Sequence, residues 1–339
     1  MANSQISLSL AAAIPAALLS ALLVWAIRPL MLRHALAPPN ARSSHRFPTP
    51  QGAGIAVIAA TLTISGAVIT FADTAGMSVP AVVFSATLFI AAVGLADDIH
   101  SISVLPRLLL QGAAVASIVF ATPETFRIVP TLPLLAERCL VLLAGLWFVN
   151  LVNFMDGLDL MTAAEAVPVS AAVVLLGWLT DAPESTTIIA AALCGAVLGF
   201  VPFNRPVAKI FLGDVGSLPI GLLLGWCLLQ LAWHQQLAAA VLLPLYYLAD
   251  TTVTLCRRLI RRQPFWTAHR SHFYQRATDN GFSVFRVVTE VFGLNVGLVI
   301  LAILSTLTSS NTLKVLLLSI GGLAVTLLLH RFTRPHKLS

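Results

Sequence analysis

Long apolar segments alternate with short polar loops along nearly the whole chain. A helix needs about 20 mostly apolar residues to cross the hydrocarbon core of a bilayer. The pattern therefore predicts a bundle of membrane-spanning helices with eleven candidate spans. They cover residues 6–27, 53–71, 80–96, 106–121, 132–149, 162–179, 186–203, 215–233, 237–256, 284–306 and 312–330.

The composition favours a membrane protein over a soluble one. Of the 339 residues, 58% are hydrophobic and 10% are charged, whereas a soluble domain carries about 25% charged residues. The longest polar stretch, Arg257 to Gly281, is too short for a soluble domain. We expect an all-α, polytopic bundle of about 10–11 transmembrane helices, forming one integral-membrane domain over residues 1–339.

The basic and cysteine residues argue against two other classes of protein. The formal net charge is +6, but the basic residues lie in short loops between spans, so a nucleic-acid partner is not expected. The four cysteines are scattered through apolar segments without a Cys-x-x-Cys motif. We therefore expect neither a disulfide nor a zinc site.

The distribution of arginine and lysine predicts the orientation in the membrane. Residues 1–27 carry no charge and Arg28 follows them, the reverse of a cleaved signal peptide, so we expect an uncleaved first span with its N-terminus outside. Seventeen basic residues then fall in one set of loops, and only Arg127, Arg138 and Lys314 fall in the other. The first set is expected in the cytoplasm.

Three acidic clusters each lie at the end of an apolar segment. They are Asp97-Asp98, the Asn/Asp set between Asn150 and Asp159, and Asp214. A charge at the bilayer centre costs about 2.5–3.5 kcal/mol on insertion scales, so such groups persist where they face water or a counter-ion. The predicted orientation puts all three on the cytoplasmic side, which suggests one shared polar site.

Two of these clusters also have a simpler explanation. Asp97 and Asp98 repel each other, which a metal or basic group would relieve, but a solvated helix end is the alternative. In the Asn/Asp set, each step of three residues rotates the direction by about 60° on a straight helix. Convergence therefore requires a helix end or bend near Gly157, and the alternative is a polar loop with an Asx-type turn.

The polar segment 202–217 combines basic and acidic groups. Asp214 can ligate a divalent cation, while Lys209 and the N–H groups at the next helix start can meet phosphate. Mg²⁺ is typically held by one or two carboxylates together with substrate phosphates and water. This combination favours a Mg²⁺–diphosphate site, and a plain connecting loop is the alternative.

A segment with two histidines around an arginine follows later in the chain. His269, Arg270 and His272 suggest an anion-binding cluster, although a basic loop that only sets topology is the alternative. His45, next to Arg46, could serve similarly. Asp250, late in the ninth predicted span, is equally compatible with helix packing and with a role in the site.

In this order, the polar elements resemble those of the polyprenyl-phosphate N-acetylhexosamine-1-phosphate transferase family, the MraY/WecA group of glycosyltransferase family 4. The last matching segment resembles the branch that starts O-antigen or other surface polysaccharides. The matching segments lie between about residues 40 and 276, and they are 45–55, 94–98, 150–159, 203–217 and 269–276.

The resemblance implies transfer of a sugar 1-phosphate from a UDP-N-acetyl sugar to undecaprenyl phosphate, with release of UMP, at the cytoplasmic face of the bacterial inner membrane. It implies Mg²⁺, or Mn²⁺ as an alternative, held by Asn153 and Asp214. Asp97 would be the candidate base, supported by Asp98, with Asp214 as the third catalytic residue. Membrane lipid is a further expected partner, and a homodimer remains open.

The resemblance also implies a set of substrate-binding residues on the nucleotide, phosphate and sugar sides. The set is His45, Arg107, Asn150, Asp156, Asp159, Asn204, Lys209, His269, Arg270 and His272. Four positions depart from the family pattern. Arg107 stands where the family often has Lys, and Ala53 replaces a Gly. The usual Asp before Pro-Asn is replaced around residues 37–40, and Asp159 is followed by Leu160 rather than by Gly.

A polytopic transporter of an anionic substrate is the alternative from another functional class. Transporters more often have ionisable groups near the membrane midplane, at broken helices. The acids of this chain instead cluster at one predicted interface. The pattern therefore favours an enzyme that acts at the membrane surface.

Overall fold

The structure, a computed structural model, describes residues 2–37, 48–72, 78–180, 182–263 and 269–335. In these ranges nearly all regular structure is helical, with one two-stranded hairpin and a 3₁₀ turn at Val201–Phe203. The elements are α1 (Ala2–His34), β1 (Leu36–Ala37), β2 (Thr49–Pro50), α2 (Gly54–Phe71), α3 (Ser78–Ile99), α4 (Val104–Ala121), α5 (Leu134–Met155), α6 (Met161–Leu179), α7 (Glu184–Phe200), α8 (Asp214–Trp233), α9 (Leu237–Leu242), α10 (Leu245–Ile260), α11 (Phe273–Asp279), α12 (Val284–Thr306) and α13 (Asn311–Phe332).

Among the described residues, ten helices are long and apolar enough to cross a membrane, namely α1 to α8, α12 and α13. The predicted polytopic helical bundle is therefore confirmed. The single span expected over 237–256 is wrong, because the chain there forms the two helices α9 and α10. Pro244 lies between them, and a proline has no N–H group with which to continue a helix.

The helix α8 lies at the centre of the bundle, packed against α2, α3 and α5. It is apolar around its whole circumference, as expected for a helix enclosed by others, and nearly all of its residues are buried. Glycines allow the closest contacts. A Cβ on Gly54 would lie 2.3 Å from the Cα of Gly216, and one on Gly94 would lie 2.3 Å from the carbonyl oxygen of Asp214.

The chain before α2 binds to the loop before α8. The strands β1 and β2 pair antiparallel, and Gln51 then forms a bridge with Phe211. The N–H groups of Gly52 and Gly54 donate to the carbonyl oxygens of Phe211 and Leu212, at 3.1 and 2.9 Å. These bonds fix the loop before α8 across the helix ends that carry the acidic residues.

Candidate active site

Several helix ends meet at Asp214, the first residue of α8. The amide nitrogen of Asn153, near the end of α5, donates to Asp214 Oδ1 at 2.7 Å and to Ser217 Oγ at 2.9 Å. Asp98, near the end of α3, is 116 residues from Asp214 in sequence and accepts its N–H at 3.0 Å. The three acidic clusters of the sequence therefore meet here.

Asp98 holds the start of α8. Its Oδ1 accepts the N–H of Asp214 and its Oδ2 that of Val215, both at 3.0 Å, and Gln51 Nε2 donates to Oδ1 at 3.0 Å. The first N–H groups of a helix have no partner within it, and negative charge is favourable there. Gly213 has a φ of 78°, and a Cβ on it would lie 2.6 Å from Asp98 Oδ2. Asp98 thus orients Asp214 through the backbone.

Arg107 connects the carboxylates of Asp97 and Asp214. Its guanidinium nitrogen lies 2.6 Å from Asp97 Oδ2 and 4.0 Å from Asp214 Oδ2. Asp97 Oδ1 also accepts the N–H of Ile102 at 2.6 Å. The Asp214 side chain is 29% exposed and that of Asp97 only 8%. Asp214 therefore offers its carboxylate to a ligand more openly than Asp97, which is held in a charge-assisted hydrogen bond.

The oxygen atoms at Asp214 fit a hard divalent cation. Asn153 uses its amide nitrogen in the bond to Asp214, so its amide oxygen is the atom that it offers to a cation. Carboxylate and amide oxygens suit Mg²⁺. Within the described ranges, no group of three or more His, Cys, Asp or Glu side chains could hold a metal alone. The set therefore suits a cation that also takes phosphate and water as ligands, and Mg²⁺ or Mn²⁺ stays a prediction.

The Asn/Asp set divides where α5 ends, at Met155. Asn150 is 6% exposed, and its amide donates to Gln111 Oε1 at 2.7 Å and to the carbonyl of Leu146 at 2.8 Å. It joins α5 to α4, whereas Asn153 reaches Asp214. The helix end that convergence requires is present, but it gives the side chains different partners. A nucleotide contact by Asn150 stays a prediction.

Asp156 and Asp159 lie beyond α5, in the turn that leads to α6. Asp156 accepts a hydrogen bond from the Thr162 hydroxyl, and Asp159 Oδ2 accepts the N–H of Ala208 at 3.0 Å. Burial, with smaller contributions from the Asp98 and Asp159 charges, raises the pKa of Asp156 to about 6. Asp156 therefore changes charge near physiological pH.

Asn204 joins the turn before α6 to the loop before α8. Its Oδ1 accepts the N–H of Leu160 at 2.7 Å, and its Nδ2 donates to the carbonyl of Ile210 at 3.1 Å. Asn204 is 7% exposed, so it organises both loops from beneath. Lys209 is exposed on the same loop, and its backbone N–H donates to the carbonyl of Phe203 at 2.8 Å. A nucleotide contact by Asn204 and a phosphate contact by Lys209 stay predictions.

The segment 269–276 reaches the end of α5. The Tyr274 hydroxyl donates to the carbonyl of Phe154 at 3.0 Å, one residue from Asn153. Arg270 donates to Asp279 Oδ1 at 3.1 Å and to Thr278 Oγ1 at 2.9 Å, both at the end of α11. Arg270 is partly exposed, so its guanidinium is available to substrate only in competition with these local partners.

Asp250, which the sequence left undecided, belongs to this part of the molecule. It is fully buried on α10. Its carboxylate accepts the N–H groups of Phe273 and Tyr274, at 3.0 and 3.1 Å, and lies 3.2 Å from His272 Nδ1. Asp250 therefore binds the segment that carries the two histidines.

Three further side chains bear on the predicted site. His45 lies outside the described residues, and its role stays a prediction. The sequence predicts no site role for Gln51, although it lies in the matching segment 45–55, or for Gln111, yet they bind Asp98 and Asn150. A single glutamine in a loop or an apolar helix gives no signal of such a contact.

Comparison with known proteins agrees with this arrangement. A family model described as glycosyl transferase family 4 matches residues 80–232, the part of the chain that holds Asp97, Asn153 and Asp214. A decaprenyl-phosphate N-acetylglucosaminephosphotransferase of Mycolicibacterium smegmatis is 28% identical over 324 residues, covering 83% of this chain and 78% of that protein.

Two other relatives cover less of the chain. A probable undecaprenyl-phosphate N-acetylglucosaminyl 1-phosphate transferase of Bacillus subtilis is 27% identical over 203 residues, or 56% of either chain. A phospho-N-acetylmuramoyl-pentapeptide-transferase of Wolbachia pipientis wMel is 43% identical over 76 residues, covering 22% of this chain and 23% of that protein. With the motifs and the site described above, these matches support the similarity of the chain to the MraY/WecA-type polyprenyl-phosphate N-acetylhexosamine-1-phosphate transferases of glycosyl transferase family 4.

Proposed function

We propose that the protein transfers N-acetylglucosamine 1-phosphate, or the 1-phosphate form of a related N-acetyl sugar, from a UDP-sugar to undecaprenyl phosphate. The names of the M. smegmatis and B. subtilis relatives support a polyprenyl phosphate acceptor and an N-acetylglucosamine phosphate group. The M. smegmatis relative is named for decaprenyl phosphate, so the length of the polyprenyl chain is part of the proposal.

The observation that carries the proposal is the meeting of Asn153, Arg107 and Asp97 around Asp214, at the end of a membrane helix. A polyprenyl phosphate keeps its tail in the bilayer and its phosphate at the surface, which is where the end of a membrane-spanning helix would hold this cluster. The acceptor and the nucleotide sugar are both anions that repel each other. A cation and a guanidinium at the meeting point lower that repulsion, which is the main task in phosphoryl transfer.

In the proposed reaction, an oxygen of the lipid phosphate attacks the phosphorus that is bonded to the sugar. The bond from that phosphorus to the bridging oxygen breaks, and the bridging oxygen leaves with UMP. The second pKa of a phosphate monoester is about 6. The attacking phosphate is therefore largely ionised at neutral pH. Asp97, paired with Arg107 at 2.6 Å, would then serve mainly to align that arginine with the lipid phosphate.

Mg²⁺ bound by Asp214 and Asn153 would neutralise the diphosphate of the donor. Lys209 and the partly exposed His269 would add positive charge or N–H donors at the rim.

The site would lie at the cytoplasmic face of a bacterial inner membrane, where UDP-sugars are made. The product would begin a surface polysaccharide such as O-antigen. The comparisons give no support to a transporter, and a homodimer stays a prediction.

One assay tests the proposal. The purified protein in lipid nanodiscs is incubated with Mg²⁺, UDP-N-acetylglucosamine and either undecaprenyl or decaprenyl phosphate, and both UMP and the lipid product are measured. We expect equal amounts of the two products, and none with Asp214→Asn. UMP without a lipid product, or no turnover with any UDP-N-acetyl sugar, would refute the proposed reaction.

A further inference from the structure

Asp250 on α10 has no capacity left for a substrate or a metal. Its side chain is completely buried. Besides the N–H groups of Phe273 and Tyr274 and the ring of His272, it accepts the hydroxyls of Tyr246 at 3.2 Å and Thr254 at 3.3 Å. A carboxylate has about four lone-pair sites, and five donors surround this one. Asp250 can therefore act on the reaction only through the groups that it holds.

His272 is one of those groups, and it is nearly as buried. Its residue exposure is 2%, and its Nδ1 lies 3.2 Å from Asp250 Oδ1. Because a carboxylate only accepts, Nδ1 of the ring donates to Asp250. The burial of the ring argues against direct contact between His272 and a substrate phosphate.

His269 has the opposite character. It is partly exposed, and its ring stacks on that of His272 with the centroids 5.0 Å apart and the planes 29° from parallel. The hydroxyl of Ser271 lies 2.9 Å from His269 Nδ1. This contact orients the partly exposed ring, and an imidazole N–H is a donor that a phosphate oxygen can accept.

The same arrangement is connected to the cation-binding residues. Asp250 accepts the N–H of Tyr274 at 3.1 Å, and the Tyr274 hydroxyl donates to the carbonyl of Phe154 at 3.0 Å. Phe154 directly follows Asn153, which binds Asp214. The position of the histidine segment relative to Asp214 is therefore fixed through Asp250.

We propose that Asp250 and His272 are positioning residues, and that they hold His269 as the histidine that contacts the anionic phosphate of the substrate. This inference rests on the proposed function and deepens it, because it divides one histidine pair into a supporting and a contacting member. It assigns Asp250, which carries no motif, a role in the rate of the reaction.

The test compares His272→Asn with His272→Gln. Both remove the ring, but the Asn amide nitrogen reaches the place of Nδ1 and keeps the bond to Asp250, whereas the Gln amide reaches the place of Nε2. We expect His272→Asn to exceed His272→Gln in kcat/KM by about tenfold, the size of one hydrogen bond to a charged group. The reverse order, at equal melting temperature, would mean that Nε2 of His272 contacts the substrate and would overturn the inference.

A second measurement asks whether Asp250 acts through His269. We expect Asp250→Asn and His269→Ala each to lower kcat/KM, and the double variant to be no worse than His269→Ala, because coupled residues are not additive. A purely structural role of Asp250 predicts multiplied losses. Multiplied losses, or a silent His269→Ala variant, would refute the assignment.

A third measurement does not depend on the substrate. Trypsin cleavage after Arg270 is followed by mass spectrometry in intact membranes. We expect faster cleavage in Asp250→Asn and His272→Gln than in wild type or His272→Asn, because the histidine segment is released. Equal cleavage rates in all four proteins would contradict the positioning role. A wild type that makes no UMP, but shows the expected cleavage pattern, would refute only the proposed reaction.

Discussion

The carboxylate of Asp98 accepts the backbone N–H of Asp214 at 3.0 Å, so the second acid of the Asp97-Asp98 pair is bound to the helix that begins with the proposed cation ligand. The two adjacent acids consequently have different environments. Asp97 pairs with a guanidinium, while Asp98 completes a helix end.

Replacing Asp98 with Asn should lower both stability and activity. The carboxylate receives N–H groups from Gln51, Asp214 and Val215, and an amide has only one accepting end, so at least one N–H would face an NH₂ group. Loss of a helix N-cap costs about 0.5–2 kcal/mol. Thermal unfolding in detergent and UMP release would be measured together. Lost activity at an unchanged melting temperature would instead place Asp98 in direct contact with substrate.

Replacing Asp214 with Asn should abolish turnover with little change in stability. The Asn oxygen can still accept the bond from Asn153, which is 2.7 Å long in the wild type, but the negative charge for a cation is gone. EDTA should stop the wild type, and Mg²⁺ or Mn²⁺ should restore it. Glu124→Gln, at an exposed acid in another loop, is the matched control and should be silent. Wild-type activity that survives EDTA would rule out the cation at this site.

The pH dependence of activity and of stability should reveal the titration of Asp156. Burial raises the pKa of Asp156 from its ordinary 3.8 to about 6, so its charge is present only above pH 6. If nucleotide binding needs the Asp156 charge, the activity of the wild type falls as the pH drops below 6. The Asp156→Asn variant should then have a low rate that no longer falls at acid pH. The folded state holds the proton that the unfolded state has lost between about pH 4 and 6, so stability should rise as the pH falls through that window. Rate and melting temperature would be measured from pH 4.5 to 8, and an unchanged acid limb in Asp156→Asn would exclude this residue as its origin.

Gly157→Ala should disrupt the contact between α11 and the end of α5. A Cβ at Gly157 would lie 2.2 Å from the Tyr274 hydroxyl, which donates to Phe154. We expect a loss of activity and a lower melting temperature. Gly112→Ala is the control, because a Cβ there meets nothing within 4 Å and Ala favours a helix over Gly by about 1 kcal/mol. Equal effects of the two substitutions would contradict the crowding argument.

Reporter fusions test the orientation in the membrane. The imbalance of basic residues predicts that fusions after Ser101, Arg205 and Arg276 lie in the cytoplasm and that one after Ser78 lies outside. Alkaline phosphatase, active only outside, and green fluorescent protein, fluorescent inside, would be compared at each position. An outside result after Arg276 would separate the histidine segment from the acidic clusters and contradict the structure.

The sequence predicts the helices well because each span buries apolar side chains, and that pattern is local. It misses the break at Pro244, where one proline divides an otherwise continuous apolar run into α9 and α10. It also predicts that the acidic clusters share one face, because the alternation of spans brings every second loop to the same side.

The partners of each acid depend on contacts between distant segments, which a single sequence does not contain. Asn150 and Asn153 are equivalent in sequence, but the former joins two helices through Gln111 and the latter reaches Asp214. Asp250 could not be assigned because its partners Phe273 and Tyr274 donate through backbone N–H groups, which leave no trace in residue type.

The bond between Asp98 and Asp214 also has a consequence for how the protein is made. The two residues are 116 positions apart, and a ribosome adds about 5–20 residues per second, so the interval between them is on the order of ten seconds. Throughout that time the Asp98 carboxylate has been synthesised and its helix-end donors have not. A nascent chain that stops before Asp214 would therefore hold Asp98 without the two backbone donors of α8, and only the Gln51 side chain could meet its carboxylate.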